Sequence, residues 1–525
     1  MTAATLIMGS SILASRLIGF LRERVIANLS GATRETDIYY AAFTIPDFLN
    51  YLLAAGAISI TFIPIFSGYL VGGDEERGWR VFSNIFLILG AAMTLLVGVG
   101  FVCAEQLVPL VAPGFSGVEL AKLARVVRII LPAQVFFYLG GLLTAVQLAK
   151  EQFGYAALAP LVYNAGIIGG GLLLAPTLGV EGFAWGVLLG AAVGNFAIQW
   201  LGARKVGMRL TLTIDWRDPA LRQFLLLSLP IMLGFSLTVA DEWFLKAFGS
   251  NLQAGRISFL TWARTIVRVP VALFGLATGI ATFPFLSKLA EAGDHEALER
   301  RLGQALRLVI VLSAVSAGLL ALLAFEGTYV IFYGWKMTLD DVSRTARVLV
   351  FFSAIVVAWG VREMLSRGFY ARRSMWPPTL VGSAAAIATL PLYWLFMTRF
   401  PAWGFGDAVD GLAFASACGM NLFAGALVIL YYRRVGWEHG RPLVTVLGKS
   451  LLALAIACSA AYAAKRGLYA AGLPESTLWA VALRTVVIAP LFLLLFAGVA
   501  RVLRLDDIAN LWRRLVGRFR RSNDG

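Results

Sequence analysis

Arginine is among the most costly side chains to place in hydrocarbon, and this 525-residue chain puts it inside apolar runs repeatedly. Arg16, Arg22 and Arg24 fall with Glu23 in SRLIGFLRERV. Arg264 and Arg268 fall in WARTIVRVP, and Arg362 stands beside Glu363 in another run. Asp241, Glu242 and Lys246 interrupt a fourth, and Asp37 opens a fifth. Each such charge costs roughly 2.5–3.5 kcal/mol at the centre of a spanning helix, so it must face a partner or a wet cavity. Arg264 and Arg268, four apart, share a helix face. Arg16 and Arg24 nearly do, whereas Arg22 projects about 120° away from Arg16. The guanidinium fork reads phosphate in a bidentate manner. This set therefore points to a cationic cavity for an anionic substrate. The competing reading is snorkelling and local pairing, with Arg24 at the membrane surface and Glu23 tied to a neighbour. Nothing in the chain suggests an enzyme. His295 and His439 are its histidines, both in polar stretches, and it carries no Walker A loop, HExxH or Ser–His pairing. Cys103, Cys418 and Cys458 are far apart, with neither metal-ligand spacing nor a disulfide framework.

The elements that must position these charges are transmembrane helices. Hydrophobic residues make up 59% of the chain and charged residues 14%, too few polar groups to cover a soluble globule. Apolar runs predict about fourteen helices, near 4–28, 36–70, 80–105, 120–147, 154–176, 181–203, 221–248, 254–287, 303–325, 343–370, 377–398, 409–432, 445–464 and 477–503. The second and eighth are long, and Pro46 and Pro270 should kink them. No basic stretch precedes the first apolar run, and Arg16 interrupts it, so it does not read as a cleaved signal peptide. The net charge of +15 fits basic cytoplasmic loops better than nucleic-acid binding. With the N-terminus inside, alternate loops and the tail hold 25 Lys and Arg and the opposite loops six, Lys465 and Arg466 among the latter. That asymmetry predicts both termini in the cytoplasm. After Arg504, LWRRLVGRFRR reads as a basic amphipathic segment on the anionic inner leaflet.

A weak internal repeat divides the chain. AAGAISITFIPIFS resembles GLATGIATFPFLS, with Pro64 and Ser67 matching Pro284 and Ser287 at an offset of 220, while Lys150 and Arg372 correspond at 222. Two parallel halves of about six helices are a transporter pattern. The expected organisation is an N-terminal lobe over 1–210, a C-terminal lobe over 211–440, two further helices over 441–503 and a basic tail over 504–525.

The segment SRLIGFLRERVIANLSGATRETDIYYAAFTIPDFLNYLLAAGAISITFIPIFSGY resembles the N-terminal signature of the MurJ/MviN lipid II flippases. The resemblance continues through APLVYN, PVALFGLATGIATFPFLSK, GFYARRSMWPP and GLAFA. It implies an all-α polytopic fold of the multidrug/oligosaccharidyl-lipid/polysaccharide exporter superfamily. Two six-helix lobes would surround a central cavity, and the last two helices would form a groove for a lipid tail, outside the moving repeat. It implies diphosphate binding by Arg16, Arg22 and Arg264, with Arg24 and Arg268 nearby and Asp37 opening helix two. Asp241 falls near an acid that helps bind sodium in some members. The chain departs from the family at Asn50 and Ala55, where an arginine and an acid are expected, and Arg264 stands one residue out of register. Arg268 is the candidate to supply the cation missing at Asn50. The implied substrate is undecaprenyl-diphosphate carrying the disaccharide-pentapeptide, flipped by alternating access in a bacterial inner membrane. No cofactor is implied, and resetting would draw on sodium or membrane potential. Partners would be membrane lipids and cell-wall synthesis proteins. Flipping of an O-antigen or capsule unit would use the same chemistry. A polyprenyl-phosphate glycosyltransferase would need a carboxylate-rich outer loop or a nucleotide-sugar site, and the outer loops are short and sparse in acids; a silent scaffold would not need the arginines.

Overall fold

The computed structural model describes residues 2–53, 61–238 and 240–505, and every regular element among them is a helix. Ala55 and the basic tail beyond residue 505 lie outside the described residues. The first apolar run is α1 (Thr2–Ser30), ended by Gly31 at a positive φ of 69°. The second is broken into α2 (Arg34–Ala42), α3 (Thr44–Leu53) and α4 (Ile63–Val71). The break at Phe43 has a local cause, because Pro46 offers no N–H to the Ala42 carbonyl. Then follow α5 (Glu75–Val102), the short α6 (Ala104–Val111), α7 (Gly117–Ile130), α8 (Ala133–Ala149) and α9 (Gly154–Leu178). The sixth run joins α10 (Val180–Gly190) to α11 (Ile198–Lys205) through a π-helical segment, Ala191–Ala197. The seventh is α12 (Pro219–Thr238) and α13 (Ala240–Gly249). The eighth runs from α14 (Arg256–Pro270) through the π-helical Val271–Leu276 into α15 (Ala277–Glu291), so the disturbance lies where Pro270 was expected to kink it. The remainder are α16 (His295–Leu322), the short α17 (Ala324–Phe332), α18 (Leu339–Ser353), α19 (Ile355–Ala371), α20 (Trp376–Arg399), α21 (Ala408–Val435), α22 (Trp437–Ala470) and α23 (Leu478–Val502).

Ten of these segments among the described residues are long and apolar enough to cross a membrane, and α18 with α19, bent by 43°, makes an eleventh. Each of the fourteen expected runs coincides with a helix or a broken chain of helices, but fourteen spans are not established. The runs left out are the first, which carries Arg16, Arg22 and Arg24, the second, broken into α2 to α4, and the seventh, α12 and α13.

The repeat extends much further than the sequence signal. Helices α5 and α16 are both 28 residues long, begin 220 residues apart, and are N-capped by Asp74 and Asp294. Capping boxes start α7 at Ser116 with Glu119 and α18 at Thr338 with Asp341, 222 apart. Helices α8 and α19 are both 17 residues long, and the turns after them carry Glu151 and Arg373 at φ of 57° and 55°, again 222 apart. The repeat is thus one of caps and turns as well as of apolar pattern.

Compact packing groups Met1–Ser258 with Gly334–Met337 as an N-terminal unit, and Phe259–Tyr333 with Thr338–Gly525 as a C-terminal unit. Helices α12 and α13, expected in the second lobe, fall in the N-terminal unit, where α12 packs on α3 and α5 and α13 on α6. In that unit Phe62, Phe66, Trp79 and Phe82 form a buried aromatic core. Helices α9 and α10 meet backbone to backbone: a Cβ on Gly166 would lie 2.6 Å from the Gly190 Cα, and one on Gly170 2.6 Å from the Gly186 Cα. Small residues four apart permit this approach where lipid gives no hydrophobic drive.

In the C-terminal unit α22 and α23 are part of the core. Ala453, Ala457 and Ala461 of α22 and Ile488, Phe492 and Phe496 of α23 are buried with Leu306, Ile310 and Ala314 of α16. Phe492 and Leu454 close on Gly318, where a Cβ would meet them at 2.4 and 2.7 Å. These helices stand outside the repeat in sequence, but they are not an appendage to the packing.

Candidate functional site

Helix α1 presents its charges in three directions. Arg16 and Arg24 are exposed, as their near-common face predicts. Arg22 turns away and is largely enclosed, with 26% of its side chain accessible. Its Nε donates to Glu23 Oε1 at 3.1 Å, and its Nη1 donates to Asn164 Oδ1 at 3.0 Å. Glu23 is buried, and its other oxygen accepts from the Tyr40 hydroxyl at 2.6 Å. Asn164 in turn donates to the Pro160 carbonyl at 2.8 Å. Arg22 is therefore held in one pose by three elements, α1, α2 and α9, and the glycine packing of α9 on α10 fixes the third. Such an arginine keeps donors for an anion while losing little side-chain entropy on binding.

The sequence reading missed Glu23, Asn164 and Tyr40 as site residues. Glu23 was legible as a local partner, because it sits between two arginines. Asn164 closes the APLVYN motif, and only the packing of α9 against α1 shows that it reaches Arg22.

Asp37 differs from its expected place in a substrate cavity. It is 0% exposed, and its carboxylate is used up inside the N-terminal unit. It accepts from the Gly255 N–H at 2.7 Å, the Ser258 N–H at 2.8 Å and the Ser258 hydroxyl at 2.7 Å, with the Arg34 guanidinium 3.9 Å away. Those N–H groups belong to the first turn of α14 and the residue before it, so Asp37 caps a helix 220 residues along the chain. Gly255 sits at φ +85°, and a Cβ there would lie 2.5 Å from the Ala32 carbonyl oxygen. Only glycine satisfies both demands. Asp37→Ala strands three buried donors, each worth about 1–3 kcal/mol. The expected outcome is a clear drop in the thermal unfolding temperature of the purified protein, smaller for Asp37→Asn, which keeps an acceptor. Unchanged unfolding together with lost ligand binding would return Asp37 to a substrate role.

The remaining candidates separate by unit. Asp241, in the first turn of α13, belongs to the N-terminal unit and is half-buried. Among the described residues no group of three or more His, Cys, Asp or Glu gathers around it or elsewhere to hold a metal ion. Arg264 and Arg268 belong to the C-terminal unit. They were expected to share an environment, but Arg264 is 8% exposed and Arg268 lies in the open. The Arg264 guanidinium sits 5.9 Å from the ring centres of both Phe352 and Trp359, a cation–π setting that offsets its desolvation. Asn50, where the family has an arginine, is half-buried in α3 of the N-terminal unit.

Lys465, expected in an outer loop, and Arg484, inside the last apolar run, form a buried ion cluster with Glu326. Lys465 lies within α22, not in an outer loop, and donates to Glu326 at 2.7 Å and to the Leu322 carbonyl at 2.6 Å. Arg484 of α23 is 0% exposed; its Nε donates to Glu326 at 3.0 Å and its terminal nitrogens to the carbonyls of Pro474 and Glu475. The signal available in sequence was an isolated acid, Glu326, in an apolar stretch.

Comparison with known proteins agrees with this architecture. A family model described as lipid II flippase MurJ matches residues 26–483. The lipid II flippase MurJ of Burkholderia cenocepacia is 29% identical over 394 residues, covering 74% of this chain and 76% of that protein. A solved structure of a lipid II flippase MurJ in an inward closed conformation matches with a TM-score of 0.75 at 20% identity, over 95% of this chain and 99% of that one. An inward-facing multidrug resistance MATE family transporter of the MOP superfamily matches with a TM-score of 0.66 at 15% identity, over 80% of this chain and 94% of that one. The two structures bear on the fold alone, which is helical and polytopic.

Proposed function

The chain belongs to the lipid II flippase MurJ family, and from that premise we infer how it does its work. It is a multi-pass membrane transporter, not an enzyme, and it flips lipid II, undecaprenyl-diphosphate carrying the peptidoglycan disaccharide-pentapeptide. The family match across residues 26–483 carries this conclusion. The physical task is to move a diphosphate and a large polar head across about 30 Å of hydrocarbon. The chain's own contribution is fixed positive charge within its spans. In the N-terminal unit Arg16 and Arg22 are assigned to the diphosphate, with Arg24 adding to the field; in the C-terminal unit the anion contact assigned is Arg264, with Arg268 on the same helix. The restraint of Arg22 by Glu23 and Asn164 supports its assignment as the orienting contact.

Transport is by alternating access, from the inner leaflet to the outer leaflet of a bacterial cytoplasmic membrane, with both termini in the cytoplasm; the charge bias of the loops supports that orientation. The undecaprenyl tail stays in lipid along α22 and α23, whose outward side chains include exposed Leu451, Ile456, Val486 and Leu494. A tail gains little there from hydrophobicity alone, since the surrounding lipid is equally apolar, so the arginines set most of the affinity. Membrane potential or an ion gradient acts on resetting.

Depletion of the protein in its native bacterium tests the substrate. The disaccharide-pentapeptide lipid should accumulate on the inner leaflet, reported by its protection from an externally added lipid II-cleaving enzyme. Accumulation of an O-antigen or capsule unit in its place would overturn the assignment.

A further inference from the structure

The C-terminal unit carries a further enclosed arginine, beyond Arg264 and Arg268. Arg362 lies in the middle of α19, with 13% of its side chain accessible. Its guanidinium is 5.9 Å from the centre of the Trp359 ring, at the same distance as Arg264, and 5.6 Å from that of Phe423. One indole thus serves two cations. One terminal nitrogen of Arg362 is paired with Glu363, while its Nε is buried and has no hydrogen-bond partner among the described residues.

The internal repeat shows that the fold does not require these charges. At the offset of 222 that relates α8 to α19, Arg362 and Glu363 correspond to Gly140 and Gly141, and Arg367 to Ala145. The N-terminal unit builds the same helix from small neutral residues. A charge pair that the architecture dispenses with in one half still carries its desolvation cost in the other. A neutral pair alone would also not leave a buried donor of Arg362 unsatisfied.

We propose that Arg362 is a further substrate-binding residue, an oxyanion contact set beside Arg264 across the Trp359 ring and held in place by Glu363 until the headgroup arrives. Its ligand chemistry is a phosphate or carboxylate oxygen of the lipid-linked head. The assignment rests on the flippase reading, and it adds a guanidinium fork that can take two oxygens, its charge balanced by Glu363 until then.

The test measures binding to the full-length protein in nanodiscs. The probes are undecaprenyl diphosphate, which carries phosphate only, and lipid II with its peptide carboxylates free or amidated. Arg362→Gln with Glu363→Gln removes the pair without stranding either charge. It should weaken undecaprenyl diphosphate binding by about 10-fold or more, with thermal unfolding unchanged, and Arg362→Lys should restore part of it. Weakening confined to lipid II with free carboxylates would place the peptide, not the diphosphate, on Arg362 and keep the site. Unchanged binding of every probe, or a fall in unfolding temperature with normal binding, would overturn the proposal. Arg22→Gln separates it from the premise. If that variant also binds normally, the cationic-site reading itself fails; if it binds weakly while the Arg362 variant does not, only this inference falls.

Discussion

Arg22→Ala should abolish flipping of lipid II while leaving the protein in the membrane at normal levels. The side chain is partly accessible, so its removal opens no large void, and Glu23 keeps the Tyr40 hydroxyl as a donor. What is lost is an oriented cation. Arg22 is fixed by Glu23 and Asn164 at 3.1 and 3.0 Å, and charge-assisted contacts of this kind are worth about 1.5–3 kcal/mol each. Two such contacts to a diphosphate correspond to roughly a hundredfold or more in binding. Complementation of a depleted strain, with protein levels followed in parallel, measures the effect. Arg16→Ala should fail in the same assay. Lysine at either position should recover part of the activity at most, since a point charge does not reproduce the fork. Glu23→Gln is informative beside them: it keeps a hydrogen-bond acceptor for Arg22 and Tyr40 but loses the charge, and should be intermediate. Full complementation by Arg22→Ala would remove the diphosphate assignment for α1.

Glu326→Ala should be among the most destabilising single substitutions in the C-terminal unit. Glu326 is 1% exposed and accepts from both Lys465 and Arg484, themselves 7% and 0% exposed. Removing the shared acid leaves two buried cations facing each other. Breaking a buried pair from one side costs about 3–5 kcal/mol, and here two pairs break at once. The readout is the thermal unfolding of purified protein, or the yield of monodisperse protein in detergent where the variant no longer survives extraction. Replacing all three residues together, Glu326→Leu with Lys465→Met and Arg484→Met, should restore much of the stability, because well-packed apolar groups often equal a buried ion cluster. If Glu326→Ala unfolds like the parent, the cluster does not fasten α22 and α23 to α17. The same packing bears on truncation. Removing 445–503 would strip Ala453, Ala457, Ile488 and Phe492 from the core, so loss of transport in that variant would not report on a tail groove alone.

The sequence by itself determined the class of protein and the lines along which it is built. A composition with 59% hydrophobic residues leaves too little polar surface for anything but a membrane protein, and apolar runs of spanning length mark where helices lie. Prolines are equally local: Pro46 and Pro270 cost backbone donors wherever they stand, and the helices are disturbed at both. Charge inside a span is legible because it is expensive anywhere in hydrocarbon, so Arg16, Arg22, Arg264 and Arg362 stood out without a structure. What each charge does was decided only by tertiary packing. Asp37 looked like a cavity acid and is a helix cap, because its three donors come from residues 255 and 258. Lys465 looked like a loop cation and is buried, because Glu326 of another helix accepts from it and from Arg484 of a third. Periodicity records which face of a helix is apolar, not which distant residue lies across from a polar one. Partners separated by more than a hundred residues leave no spacing to read, and the free energy of a buried charge is set almost wholly by those partners.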